Sequence, residues 1–334
     1  MAWRVMPAAE PQGEFETIQR LFKPLAHLEW ARGLDDDVAV LPSRPGYDLV
    51  LTKDAIIEGV HFLPTDPMET VAQKLLRTNL SDLAAKGAEA FGYLLACHWS
   101  PRCAWAERVA FTEGLKADQN RFGVHLLGGD TVKTPGPASF SATLMGWVPS
   151  GTAISRSGAK AGDMVFVTGT IGDGGLGLYA AMGQLELDPK HLATLIAAYQ
   201  SPEPRLGFAP AVRAYASASA DVSDGLVADL GHIAKASGVG IQIDLEHLPV
   251  STAAQAWLKG QGDQVSALSR LAASGDDYEI ILTAPSSAEA ALEREAAQCG
   301  LRVTPIGRVS EGQGVCVQHH CQAVTLTKSG WTHD

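Results

Sequence analysis

The sequence predicts an α/β protein of two halves, each built on a mixed α+β sheet. Three observations carry this reading. Apolar runs of strand character alternate with amphipathic helical runs along the chain. The 334 residues suffice for one large or two ordinary domains. A stretch rich in Gly and Ser, "PSGTAISRSGAKAGD" at 149–163, interrupts the alternation near the middle. The expected domains are therefore 1–149 and 150–334.

In chain order, "FETIQRLFKPL" reads as a short amphipathic helix, and "DVAVL" and "YDLVLTKDAI" as strands, the former buried. "TDPMETVAQKLLRTNLSDLAAKGA" has Asp66 as a cap, Pro67 at the first helical position and helical apolar spacing. "FGYLLACHW" is a strand, "AWAERVAFTEGLKADQNRF" a helix, "VHLLGGD" a strand ending in glycines, and "ASFSATLMGWV" a further strand. Beyond the Gly/Ser stretch, "MVFVTGT" restarts a strand and several helices follow. "DVSDGLVADLGHIAKASGVGIQIDL" reads as turn, helix, Gly break and strand; "YEIILTA", "SAEAALEREAAQCG" and "LRVTPIGRV" continue as strand, helix, strand.

Composition narrows the function classes. With 46% hydrophobic and 19% charged residues the chain can bury a core. A net charge of -11 without any Lys/Arg-rich run argues against a nucleic-acid partner, which requires clustered cations. It does not argue against a phosphate ligand that brings metal ions with it. No span approaches the ~20 apolar residues of a membrane helix, so no membrane is expected. The start "MAWRVMPAAEPQGEF" lacks the apolar core of a signal peptide. Cys97, Cys103, Cys299, Cys316 and Cys321 are an odd, scattered set, as suits a reducing compartment, and the expected location is cytoplasmic.

Two tempting motifs are set aside. "GDGGLG" at 172–177 satisfies G-x-G-x-x-G, but the helix-like sequence after it leaves no second strand where a dinucleotide fold needs one. A tight strand-to-helix turn is the plainer reading. "CVQHHC" at 316–321 has zinc-type ligands, yet it lies in an apparent terminal hairpin with no second ligand pair at finger spacing.

The stronger pattern is distributed. Aspartates recur at strand ends and helix starts beside small or hydroxyl residues: 35–37, Asp54, Asp82, Asp130, Asp221 with Asp224, and Asp276 with Asp277. Taken singly, each is the aspartate of a cap or turn. Taken together, they form an oxygen-rich set of the kind Mg²⁺ shares between protein carboxylates and phosphates. Glycines admit phosphates to backbone N–H groups, and Arg156 in "SRSG" offers a guanidinium fork. On this reading the acids at 35–37, set before an apolar run, face metal ions.

The islands "DDDVAVL", "KDAIIEGVHF", "NLSDLAAKGA", "LLGGDT", "SRSGAKAGDMVFVTG", "DVSDGLVADLGHIAKASGVG" and "SGDDYEI", in this order, resemble the thiamine-monophosphate kinase family. That family belongs to the aminoimidazole-ribonucleotide-synthetase-like ATP-binding superfamily, and the similarity spans 14–331. It implies a two-domain fold and a homodimer whose amino-terminal sheets form a barrel. It also implies transfer of the ATP γ-phosphate to thiamine monophosphate. By position, Asp37, Thr52, Asp54, Asp82, Asp130, Asp221 and Asp224 would hold several Mg²⁺, with the Lys53 carbonyl as a further oxygen. Gly129, Asp130, Arg156 and Ser223 would lie against ATP; His61, Asp276 and Trp331 would contact the substrate. Asp54, Asp82, Asp130, Arg156 and Asp224 would carry the transfer step. Asp35, Lys53 and Asp276 depart from the family's usual Gly, Thr and Glu.

The chemistry suits these residues. A phosphate monoester with a second pKa near ~6 is already largely dianionic at neutral pH, so no general base is needed. The obstacle is bringing two polyanions together, which positioned cations solve. Other readings are another ATP-dependent synthetase of the superfamily and a non-catalytic Mg-nucleotide-binding scaffold. A selenophosphate synthetase would want a reactive Cys near the start, and residues 1–32 contain none.

Overall fold

The computed structural model describes residues 13–331, which form two compact units. One gathers the chain up to Ser43, Lys53–Leu76 and Phe91–Thr143. The other gathers Arg44–Thr52, Arg77–Ala90 and the chain from Leu144 onward.

The first half of the sequence supplies α1 (Glu14–Thr17), β1 (Tyr47–Ile57), α2 (Met68–Ala85), β2 (Glu89–Trp99), α3 (Trp105–Phe122), β3 (His125–Lys133) and β4 (Ser139–Pro149). The four strands form a sheet in the order β1-β4-β2-β3. β2 and β3 run parallel, as a crossover through α3 allows, with Leu95 opposite Gly129 and Ala96 opposite Asp130. Below them Trp99, Phe111 and Phe140 pack ring on ring, with centroids 4.4 to 5.4 Å apart. Along β1 the two-residue period sets Thr52 and Asp54 on one face, with buried Ile56, and Leu49, Leu51, Lys53 and Ile57 on the exposed one.

One expected strand is absent. Residues 38–42 form no strand, and Val38 and Val40 stay 55% and 48% exposed. A strand needs a neighbour to take its N–H and C=O groups. No strand of the sheet runs beside this segment, which is held by a bond from Val40 N to Trp30 O.

The second half supplies β5 (Met164–Thr168), α4 (Asp173–Ala181), α5 (Pro189–Gln200), α6 (Ala209–Tyr215), β6 (Ala218–Asp221), α7 (Leu226–Ser237), β7 (Gly240–Asp244), α8 (Thr252–Lys259), α9 (Gln264–Ala272), β8 (Ile280–Ala284), α10 (Glu289–Gln298), β9 (Val303–Ser310), β10 (Gly314–His319) and β11 (Gln322–Ala323). Its sheet has the order β11-β10-β7-β9-β5-β8-β6. β5 is antiparallel to both β8 and β9, while β7 and β10 are parallel. Val165 and Val167 belong to a core with Leu230, Ile233 and Trp257; Phe166 belongs to another with Phe208, Ile280 and Leu292. A strand buried on both faces has no polar side to show, which is why "MVFVT" is continuously apolar. Each such side chain contributes about 1.5–3 kcal/mol of burial.

Candidate active site

In the second unit, two of the aspartate-bearing loops are laced together. Asp221 ends β6 as a buried carboxylate, and the chain continues alongside the loop that enters β8. Tyr278 N donates to Val222 O at 2.8 Å, Val222 N to Glu279 O at 2.8 Å, and Asp276 N to Ser223 O at 2.9 Å. The approach is so close that a Cβ on Gly275 would lie 2.4 Å from Ser223 O. Asp276 and Tyr278 take positive φ of 67° and 52° in this loop, and the Tyr278 hydroxyl donates to Asp276 Oδ1 at 3.0 Å. The tail reaches the same place: Trp331 N donates to Asp224 O at 2.8 Å.

The loop of Asp221 and Asp224 is braced from below by Asp229, one turn into α7. Its Oδ2 accepts the N–H groups of Ser223, Asp224 and Gly225 at 3.0, 3.1 and 3.2 Å. Burial, followed by the charge of Asp224, pushes the Asp229 carboxyl up to about 7.

At the end of α2, Thr52 Oγ1 donates to Asp82 Oδ2 at 2.5 Å, joining two of the expected metal donors. One turn on, the half-buried Lys86 donates its ammonium to Ser219 O at 2.5 Å. Burial lowers it to about 8; Arg156 adds to the fall, while Asp221 and Asp82 oppose it. Asp82, Arg156 and Asp221 thus act on one half-buried cation. Arg156 lies in the loop before β5, its own carbonyl accepting from Ser237 Oγ at 3.2 Å.

The first unit holds Asp37, Lys53, Asp54, His61, Gly129 and Asp130. Asp130 follows Gly129 on β3, and its Oδ1 accepts the Thr131 N–H at 2.8 Å. His61 is half-buried in the turn after β1, where its Nδ1 accepts the Ile57 N–H at 3.2 Å, so it is not a core histidine. The Lys53 side chain lies on the face opposite Thr52 and Asp54, which leaves only its carbonyl on offer.

The acids at 35–37 need correcting. Asp35 is held by Lys23 at 2.6 Å and Asp36 is paired with Arg32, so two of the three have side-chain cations. Those bonds, foremost from Lys23 and Arg32 respectively, draw both carboxyls below the usual range. Of the three, Asp37 alone is in no ion pair among the described residues. The charge that Asp35 brings in place of Gly is met by Lys23.

The glycine turn before α4 proves structural. Asp277, half-buried, accepts Gly172 N at 2.8 Å and Gly174 N at 3.0 Å, so amides that a pyrophosphate would need are occupied. Burial raises its carboxyl well above the ordinary value. Asp229 and Lys86 were not singled out from sequence. An acid one turn after "SDGL" was a readable sign of Asp229; nothing in "AAKGA" distinguishes Lys86 from a solvated helix-end lysine.

Residues 35–148 match the family described as AIR synthase related protein, N-terminal domain, and 160–320 its C-terminal domain. A thiamine-monophosphate kinase of Caulobacter vibrioides is 50% identical, covering 98% of this chain and 92% of the relative. The thiamine-monophosphate kinase structure from Stenotrophomonas maltophilia K279a superposes with TM-score 0.79 at 36% identity, over 87% of this chain and 91% of that one. The structure of AaThiL complexed with AMPPCP and TMP superposes with TM-score 0.77 at 30% identity, over 96% and 97%. With these likenesses running through both halves and across the aspartate loops, the chain belongs to the thiamine-monophosphate kinase family.

Proposed function

We propose that this chain transfers the γ-phosphate of ATP to thiamine monophosphate, giving thiamine diphosphate and ADP by direct in-line attack. The observation that carries this is the loop at 221–225. It bears Asp221 and Asp224, presents Ser223, and is bonded through its backbone to Asp276 and Trp331, the substrate-side residues. Phosphate-side and acceptor-side groups therefore meet on one loop. The AMPPCP and TMP bound in AaThiL support both substrates.

The donors suit Mg²⁺. Asp82, Asp221, Asp224 and the Thr52 hydroxyl are hard oxygens, as are Asp37, Asp54, Asp130 and the Lys53 carbonyl in the other unit. Mg²⁺ bound by such groups supplies neutralisation of the phosphate charge. The protein's own part is positioning. Arg156 offers its fork to phosphate oxygens, and Ser223 and the Gly129–Asp130 backbone offer short polar groups to ATP. Lys86 holds β6 at Ser219 and sets a positive charge that both Asp82 and Asp221 feel. Asp229 keeps the 223–225 amides turned inward, which fixes the backbone that carries Asp224. No base is required, because the acceptor phosphate is already ionised.

Purified protein with ATP, Mg²⁺ and thiamine monophosphate, followed by phosphorus NMR, is expected to show a new diphosphate ester and ADP in equal amounts. ADP with free phosphate would indicate instead a synthetase lacking its acceptor. ATP binding without turnover would indicate a scaffold.

We further propose a homodimer in the cytoplasm, divided into domains 1–149 and 150–334. The exposed face of β1, with Leu49, Leu51 and Ile57 in alternation, supports self-association through this sheet. Leu51→Asp is expected to shift sedimentation equilibrium from two chains toward one; an unchanged mass would exclude that face. ATP as substrate and five free cysteines suit the cytoplasm. The family matches at 35–148 and 160–320 support the division near 149.

A further inference from the structure

The last hairpin carries a motif that phosphoryl transfer leaves unused, "CVQHHC" at 316–321. β10 ends at His319, which pairs with Gln322 at the start of β11, so His320 and Cys321 are the two central residues of the turn. Both have positive φ, 49° and 63°, the geometry of the hairpin turn that ordinarily demands Asn-Gly. Neither is glycine. On a strand, successive side chains point to opposite faces. Here the left-handed step at His320 undoes that alternation, and the rings of His319 and His320 come to 4.1 Å between centroids.

A third donor arrives from a distant part of the chain. β10 runs parallel to β7 with Gln318 opposite Asp244, and β7 passes directly into the tight turn Leu245–His247. Glu246 therefore stands at the same end of the strand pair. Its Oε1 accepts the His320 N–H at 3.0 Å and lies 3.6 Å from His320 Nδ1. One donor atom each from Glu246, His319 and His320 lie within 4.8 Å of one another, with His319 half-buried and the other two open to solvent.

We propose that Glu246, His319 and His320 bind a divalent transition-metal ion, Zn²⁺ being the best match. Two imidazoles and one carboxylate are the donor set of open zinc sites, with remaining positions for water, and imidazole disfavours Mg²⁺. The site is separate from the hard-oxygen donors of the active site. The cysteines of the motif stand outside the cluster, Cys316 accepting weakly from Gln318 at 3.9 Å. A bound ion ties the edge hairpin to the turn after β7. It does so where the hairpin gives way, after Val324 N bonds Val317 O, to the segment that leads to Trp331.

The test is calorimetric titration of ZnCl2 into chelator-stripped full-length protein at about pH 7.5, with excess Mg²⁺ present to occupy the carboxylate sites. One Zn²⁺ per chain is expected at micromolar free metal. His319→Ala and Glu246→Gln should each weaken it at least about tenfold. His232→Ala should not, although His232 lies with Asp224 and Asp229 in another potential metal group. Cobalt substitution should give visible ligand-field bands without a thiolate charge-transfer band. The proposal is overturned by no Zn²⁺ uptake, by uptake indifferent to His319→Ala, by uptake lost in His232→Ala, or by a thiolate band that vanishes in Cys321→Ser.

Discussion

Gly129→Ala is expected to destabilise the protein by about 3 kcal/mol or more, beyond the usual cost of overpacking, and to lower turnover at least about a hundredfold. A Cβ at this position would sit 1.8 Å from Leu95 O and 2.8 Å from its carbonyl carbon. Those are backbone atoms of the adjacent parallel strand, so no side chain can swing aside. With φ at 155° the residue also occupies a conformation that L side chains rarely adopt. The strands must part at Leu95–Gly129, and the next pair in the ladder is Ala96–Asp130. The substitution thus moves the carboxylate proposed to act on ATP. Gly128→Ala is the control, since its Cβ would meet only Leu94 Cδ2 at an ordinary 3.4 Å. Denaturant melts and kcat for the two variants decide the matter. A Gly129→Ala protein with normal stability would show that β2 and β3 do not approach as described.

Arg205→Ala is expected to cost about 3–5 kcal/mol, the range for stranding a buried charge. The Glu279 side chain is only 4% exposed. Its carboxylate accepts Arg205 Nε at 2.8 Å and Thr168 Oγ1 at 2.7 Å, while Arg205 Nη2 reaches the other oxygen. Glycine is needed at 169 because a Cβ there would lie 1.8 Å from that oxygen. Without the guanidinium the carboxylate must either protonate or stay ionised in a poorly solvated place. Removing both charges, as in Arg205→Met with Glu279→Gln, should recover part of the loss. Urea denaturation of the single and double variants measures this. A single-variant cost below about 1 kcal/mol, the range of a surface pair, would place Glu279 in contact with water. The damage should extend to activity, because Glu279 O receives Val222 N in the lacing of the active-site loops.

Most elements were legible because their periodicity is local. "MVFVT" announced a strand covered on both faces, and the apolar spacing from Met68 announced a helix. "DVAVL" misled because composition cannot say whether a partner strand exists. The aspartates were legible as donors, but their partners were not. Asp35 and Asp36 found Lys23 and Arg32 through the folding of the preceding helical turns. Lys86 found its acceptor on β6, contributed by residues more than a hundred positions later. Glu246 joined two histidines by virtue of the β7–β10 pairing. Strand register, not spacing, decides the last of these.

The strand order of the larger sheet has a consequence for synthesis. β5 is the first of its strands to leave the ribosome, yet its neighbours, β8 and β9, are made last but for the closing hairpin. For about 110 residues of translation the nascent chain therefore carries an apolar strand with two unfilled edges, a long-range pairing of the kind that slows folding and invites aggregation. The helices made in the interval, α4 to α9, are available to shield it. Overproduction at a slower elongation rate would lengthen that exposure, so yield of soluble protein depends on the pace of the ribosome through the second half.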